Sequence, residues 1–297
     1  MTSTPTESFV SIGGVTVRIA SDDPRLATPA DGSLDAFFVP PRPPDVDIRA
    51  RWTVAIDDHR GSVVFDSGAT WRLLKSSDEF LFIFQSTTGA AAPYRSARFN
   101  RRFTEGDVQV SSRHFDTVEA ASVYALQYPL DELLVIHQLA QGKGVEIHGC
   151  AVRDCDGRVF LFAGQSGAGK STLARLWLNR PDVTLLSDER VVLRTDADRI
   201  DAYGTPWHGD ARLTSPQHGP LAAIFFLHHG PAHRVVACGT PLSAAKLFSC
   251  AFLPFHDIDA VDRTMAALER VTGEVPCRDL WFAPDRSVID AIAPCMR

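Results

Sequence analysis

A strand, a glycine-rich turn and a helix follow one another without interruption in residues 159–177, and this run constrains the fold more than any other stretch. The apolar residues 159–163 predict a buried strand. The next eight residues, GQSGAGKS, fit the pattern G-x-x-x-x-G-K-[ST] at every fixed position. Leu173, Leu176 and Trp177 then recur at helical spacing, so a helix is expected to begin where the turn ends.

This arrangement is typical of a loop that binds phosphate. The free N–H groups and the dipole at a helix start favour an anion, and glycines let the backbone wrap around it. Lys170 supplies a charge for phosphate oxygens and Ser171 a hydroxyl for Mg²⁺, so ATP with Mg²⁺ is the expected cofactor. The alternative is a chance glycine-rich turn. The predicted nucleotide-binding residues are Gly164, Gln165, Ser166, Gly167, Ala168, Gly169, Lys170, Ser171 and Thr172.

Composition narrows the class of protein. The chain has 297 residues, enough for two domains, and its 45% hydrophobic and 22% charged residues are ordinary for a globular protein. A net charge of -6 means that the protein lacks the overall positive charge that attracts polyanions, so neither nucleic acid nor a membrane is expected as a partner. The six cysteines form no C-x-x-C pair, and no signal peptide is evident at the N-terminus, which together predict a cytoplasmic protein.

The first part of the chain predicts a β-rich domain. Short strand-like segments follow each other with turns between them and no helical pattern, which indicates an antiparallel unit over residues 9 to about 115. A Gly-Gly pair after residue 12 predicts a hairpin. The first clear helix covers residues 129–141, so we place a domain boundary near residue 120, with domains 1–120 and 121–297.

The second domain is predicted to combine helices with a mixed sheet. Strand 145–152 is joined to strand 159–163 by a short turn, which requires the two to be antiparallel neighbours. A further strand over 183–187 is followed at once by another over 191–193. We therefore expect an α/β (α+β) fold: a β-rich N-terminal domain, then a phosphate-loop domain with a partly antiparallel sheet.

Two adjacent carboxylates, Asp188 and Glu189, follow the strand at 183–187. Successive strand residues point to opposite faces, so one acid is expected to serve the metal and the other the proton of an attacking hydroxyl. The alternative is a surface turn with solvated acids. His148 lies on the strand beside the loop strand, which allows a role near phosphate or a role in the core.

Two further groups of residues are candidates for binding. The loop at 202–212 contains the Gly-Thr-Pro-Trp-His-Gly-Asp run, and Asp210 is its best candidate for a functional side chain, with Arg212 also plausible and His208 open between binding and packing. The remaining histidines fit no metal-ligand spacing and are interpreted as solvent-facing. They are His218, His228, His229 and His233.

The motifs IHG, GQSGAGKST and LLSDERV, in this order, resemble the HPr kinase/phosphorylase group, which is related to ATP-dependent phosphoenolpyruvate carboxykinase. The resemblance covers about residues 129 to 290. It implies that Lys170 and Ser171 hold phosphate and Mg²⁺, that Asp188 is the catalytic acid/base, and that His148 is an active-site histidine. Glu189 stands where the family has a second Asp, and Thr172 replaces a usual acidic residue.

Three functions are compatible with these features. The first is a kinase that transfers the γ-phosphoryl group of ATP to a hydroxyl, of the serine type, on a protein, peptide or small molecule. The second is an ATP-dependent switch or ATPase without an acceptor. The third is a carboxykinase-like small-molecule enzyme. A homo-oligomer is compatible with each of them.

Overall fold

The computed structural model describes residues 5–29, 32, 34–57, 61–86, 92–115, 123–178 and 180–296. The chain divides into two compact units. One comprises Met1–Ser11 and Val15–Leu134, and the other comprises Ile12–Gly14 and Val135–Arg297. The predicted boundary near residue 120 falls in 116–122, outside the described residues.

The β-rich part of the chain forms an eight-stranded sheet with the order β1-β2-β3-β8-β7-β6-β5-β4. Its strands are β1 (Thr6–Ile12), β2 (Val15–Ser21), β3 (Val46–Thr53), β4 (Ser62–Asp66), β5 (Trp71–Lys75), β6 (Glu79–Phe84), β7 (Arg95–Asn100) and β8 (Glu105–Ser111). Short helices α1 (Pro24–Ala27) and α2 (Ser112–Phe115) and a 3₁₀ turn at Asp35–Phe37 complete it. The predicted hairpin is confirmed, since Gly13 and Gly14 join β1 to β2 with φ of 57° and 72°.

The prediction of an antiparallel unit is wrong for two strand pairs. β3 runs parallel to both β2 and β8, so the sheet is mixed. The physical reason is the length of the connections. Parallel neighbours need a long crossover, and residues 22–45 between β2 and β3 provide one, while the β4–β7 meander separates β3 from β8.

The second unit is built on a nine-stranded sheet. The sheet is mixed, which confirms the prediction of a partly antiparallel sheet. Its strands are β9 (Gly144–Asp154), β10 (Val159–Ala163), β11 (Val183–Ser187), β12 (Arg190–Asp196), β13 (Arg199–Tyr203), β14 (His218–His229), β15 (Arg234–Ala237), β16 (Ala251–Phe252) and β17 (Cys277–Phe282). Its helices are α4 (Lys170–Trp177), α5 (Thr240–Phe248), α6 (Ile258–Glu274) and α7 (Ser287–Ile292), with a 3₁₀ turn at Ala293–Cys295. α3 (Leu130–Leu139) crosses the division between the units. Within the described ranges, no helix is both long and apolar enough to cross a bilayer.

Two features of this sheet position the residues discussed below. β9 and β10 are antiparallel neighbours, which confirms the prediction from their short turn. β10, β14 and β17 are parallel to one another, so their C-terminal ends reach the same edge of the sheet. That edge is where ligands bind in open α/β sheets.

β10 is buried on both faces, which explains its unbroken apolar sequence. Val159, Leu161 and Ala163 belong to a core cluster that includes side chains of α5 and α6. Phe160 and Phe162 belong to a second cluster that includes side chains of α4 and α7. The strand that leads into the glycine-rich turn is therefore held by packing on both sides.

Replacing Phe162 with Ala tests this packing. The ring is fully buried and stacks on Phe225 with centroids 5.2 Å apart, so its removal leaves a cavity. We expect the free energy of unfolding to fall by about 3–5 kcal/mol. Leu242→Ala is the control, because that side chain is 55% exposed and its loss should cost within about 0.5 kcal/mol. Equal losses in a denaturant titration of both variants would contradict the assigned core.

Candidate active site

The glycine-rich loop, residues 164–169, joins the end of β10 to the start of α4. Gly167 and Gly169 have φ of 82° and 95°, a region that L-residues rarely adopt. A Cβ on Gly164 would lie 2.7 Å from the Cβ of Ala168, whereas one on Gly167 would meet no heavy atom within 4 Å. The loop is thus tightly folded at its base and open at Gly167.

Lys170 begins α4 and lies against the loop. Its Nζ donates hydrogen bonds to the carbonyl oxygens of Gly164, at 2.9 Å, and Gln165, at 3.0 Å. The residue is only 5% exposed. Burial lowers the pKa of Lys170, and the charge of Glu189 opposes this shift. Ser171 and Thr172 follow in the first turn of the helix and are half-buried.

Glu189 is the centre of a group of charged side chains. Its Oε1 lies 3.1 Å from His148 Nε2 and accepts a hydrogen bond from Arg190 Nη1 at 2.7 Å. Arg190 also faces the buried Glu146, with Nε 3.5 Å from Oε1, and its guanidinium lies 4.3 Å from the ring centroid of Phe252. Arg190 is therefore fixed from three sides, and it fixes Glu189 in turn.

The sheet brings this group beside the loop. In β9, His148 pairs with Arg190 of β12, and the next residue, Gly149, pairs with Ala163, the last residue of β10. The Gly149 N–H also donates to the carbonyl of Glu189 at 3.1 Å. Adjacent strands lie about 4.8 Å apart, so the His148–Glu189 pair is one strand away from the loop. The prediction that His148 lies on the strand next to the loop strand is confirmed.

The charges in this group act on one another. Burial lowers the pKa of His148, and the charge of Lys170 lowers it further, while Glu189 acts in the opposite direction. Burial raises the pKa of Glu189, but the hydrogen bond from Arg190 and the nearby positive charges outweigh it, so the net shift is downward. At neutral pH the pair therefore consists of an ionised carboxylate and a neutral imidazole, a state able to accept a proton.

Asp188 occupies a different environment from Glu189. It is fully buried, and its carboxylate accepts hydrogen bonds from three backbone N–H groups. These belong to Gly209 at 3.1 Å, Ala211 at 2.8 Å and Leu213 at 3.3 Å. The two adjacent acids thus differ in surroundings, and Asp188 anchors the segment at 209–213. The division of metal and proton roles between them stays a prediction.

The predicted binding loop at 202–212 contributes to the site through its backbone. The side chains of His208, Asp210 and Arg212 are exposed, whereas the N–H groups of the same segment bind Asp188. Thr205 is buried and its Oγ1 donates to the carbonyl of Arg190 at 2.7 Å. Sequence patterns could not show this, because a backbone N–H leaves no signature in residue type.

Each of the four histidines predicted to face solvent makes its own contacts, and within the described residues no group of three or more potential ligands could hold a metal ion. His218 stacks on Tyr203 and His233 contacts Ser287. His228 lies 2.6 Å from Asp279. The prediction for His229 was incomplete: it is exposed, yet its Nε2 contacts the carbonyl of Gly167 at 2.7 Å.

No protein-family model matches the chain, and no curated protein matches it. The resemblance to the HPr kinase/phosphorylase group accordingly remains a prediction from the motifs.

Asp188→Asn tests the anchoring contacts. An amide in place of the carboxylate presents an NH₂ group to at least one buried N–H donor, so we expect a loss of about 1–3 kcal/mol in unfolding free energy. Asp210→Asn, at an exposed carboxylate of the same segment, should change it by less than about 0.5 kcal/mol. A denaturant titration in which Asp188→Asn is as stable as Asp210→Asn would show that the three hydrogen bonds do not hold the segment.

Proposed function

We propose that this protein is an ATP-dependent phosphotransferase that acts on a hydroxyl group. The observation that carries the proposal is the placement of a buried lysine, at the end of a glycine-rich loop, one strand away from a paired carboxylate and imidazole. A loop of this kind offers charge and N–H groups to phosphate, and the pair offers a proton acceptor. Phosphoryl transfer needs these two functions side by side.

The residues fit ATP and Mg²⁺ by their chemistry. The open surroundings of Gly167 leave room above the loop, and Lys170 carries the charge for phosphate oxygens. Mg²⁺ in such sites takes only one or two protein oxygens beside phosphate and water. Ser171 Oγ and the Oε2 of Glu189 are the oxygens that would hold it, since Oε1 is engaged by His148 and Arg190. When bound, ATP would supply the γ-phosphoryl group.

We assign the proton transfer to His148 oriented by Glu189. A neutral imidazole whose Nε2–H faces a carboxylate has its Nδ1 available as an acceptor, and the carboxylate stabilises the charge that develops on the ring. Asp188, the acid/base that the family resemblance implies, is completely buried and engaged by three amides. A proton acceptor there would first have to release the segment at 209–213, so we assign Asp188 a positioning role.

One observation favours a second function, a nucleotide-dependent switch. The segment at 209–213 is bound through its backbone to Asp188, the residue directly before Glu189. A shift of the acidic turn would therefore be passed to that segment, which is how a bound nucleotide can alter a surface. The two functions differ in whether an acceptor is phosphorylated, and screening lysate and peptides with labelled ATP separates them.

Lys170→Ala should abolish most of the nucleotide affinity. Loss of the ammonium removes a charge-assisted contact to phosphate, and we expect binding of Mg·ATP, measured by calorimetric titration, to weaken by about 2 kcal/mol or more. Lys143→Ala is the matched control, because Lys143 precedes β9 in the chain and its side chain hydrogen-bonds Gln138. We expect this variant to bind Mg·ATP as the wild type does. Unchanged affinity in Lys170→Ala would refute the phosphate-binding assignment.

The three acid and base candidates can be ranked by substitution. If His148 is the base, His148→Gln should lower the rate of transfer by about 10²–10⁴-fold while Mg·ATP still binds. Glu189→Gln should lower the rate and raise the Mg²⁺ requirement, because it removes both the orienting charge and a metal ligand. Asp188→Asn should lower the rate of transfer only as far as its lower stability reduces the fraction of folded protein. If Asp188→Asn is folded but loses 10²-fold or more in rate, and His148→Gln stays active, then Asp188 is the base and His148 is not.

A further inference from the structure

The C-terminal ends of β14 and β17 both reach the glycine-rich loop. β14 ends in His228-His229 and β17 in Trp281-Phe282, and the two strands pair in register at these residues. His229 Nε2 lies 2.7 Å from the carbonyl oxygen of Gly167. A carbonyl can only accept, so this nitrogen carries the proton and donates it.

Phe282 packs against the glycine-rich loop at Gly169, two residues from Gly167. A Cβ on Gly169 would lie 2.8 Å from Phe282 Cζ and 3.7 Å from His229 Cε1, so both rings lie against the loop backbone. The two rings are also nearly parallel, with centroids 6.5 Å apart. Gly167 itself has open space where a side chain would project, and the His229 hydrogen bond holds its carbonyl oxygen from the β14 side.

The opposite face of the same strand ends is firmly held. His228 and Lys246 Nζ both contact Asp279 Oδ1, at 2.6 Å and 2.5 Å. The His228 ring also stacks on Trp281 with centroids 4.8 Å apart. Because successive residues of a strand point to opposite faces, fixing His228 on one face also fixes the direction in which His229 leaves the other.

From these contacts we infer that His229 is a positioning residue of the nucleotide site: it holds the Gly167 carbonyl and so keeps the loop in the conformation that receives phosphate. The inference rests on the proposed function. A loop whose N–H groups already point at the phosphate position loses less conformational freedom on binding, so the histidine raises affinity without having to touch the ligand.

The test compares His229→Ala, His229→Gln and His218→Ala in the full-length protein. Glutamine can place an amide N–H close to the position of the imidazole Nε2, and His218 lies at the other end of β14 and stacks on Tyr203. Two quantities are measured: hydrogen–deuterium exchange of the amides at 164–170 without nucleotide, and the dissociation constant for Mg·ATP.

We expect His229→Ala to speed exchange in the loop and to weaken Mg·ATP binding about fivefold, the usual effect of one lost hydrogen bond. His229→Gln should restore both quantities to within about twofold of the wild type, and His218→Ala should leave both unchanged. Wild-type exchange in His229→Ala, or faster exchange with wild-type affinity, would overturn the inference alone. A wild-type protein that does not bind Mg·ATP would refute the proposed function, and the inference would fall with it.

Discussion

The pairing of β9 with four other strands is the constraint on which the site depends. β9 is hydrogen-bonded to β10, β11, β12 and β16 along its length. Each partner brings one part of the site: β10 leads into the glycine-rich loop, β11 leads to Asp188, β12 begins at Arg190, and β16 carries Phe252. A one-residue slip of β9 would turn His148 to the other face and break all of these relationships together.

Gly149 allows this crowded arrangement. A Cβ there would lie 2.9 Å from Leu161 Cδ1 and 3.2 Å from the carbonyl oxygen of Phe162, so a larger residue would push β10 away. The same residue donates its N–H to the carbonyl of Glu189. The glycine beside His148 thus allows close approach of the strand that leads into the loop and of the turn that carries the acids.

Burial separates the roles of the two neighbouring acids. Asp188 and Glu189 are adjacent in sequence, yet the first is enclosed by backbone amides and the second faces His148 and Arg190. Amide donors hold a segment in place, whereas the imidazole and guanidinium beside Glu189 form the group to which we assign the proton transfer. The turn that contains both acids thereby links the segment at 209–213 to Glu189 and His148, to which we assign the proton transfer.

The sequence allowed prediction of those features that depend on local pattern. The strand–loop–helix run, the β9–β10 hairpin and the adjacent acids all lie within short stretches where spacing and residue type are sufficient. The parallel pairs of β3 were not predicted, because pairing between distant strands depends on packing and not on local periodicity. His229 is exposed, as predicted, but its contact with Gly167 was not predicted for the same reason, since it requires β14 to pair in parallel with β10.

We propose that the glycine-rich loop receives the phosphates of a nucleotide beside the His148–Glu189 pair. A crystal structure of the protein grown with Mg²⁺ and a non-hydrolysable ATP analogue tests it most directly. We expect the β-phosphate within hydrogen-bonding distance of the loop amides, the Lys170 ammonium on phosphate oxygens, and the terminal phosphate on the side of His148. An analogue bound elsewhere, with the Lys170 ammonium still on the carbonyls of Gly164 and Gln165, would contradict it.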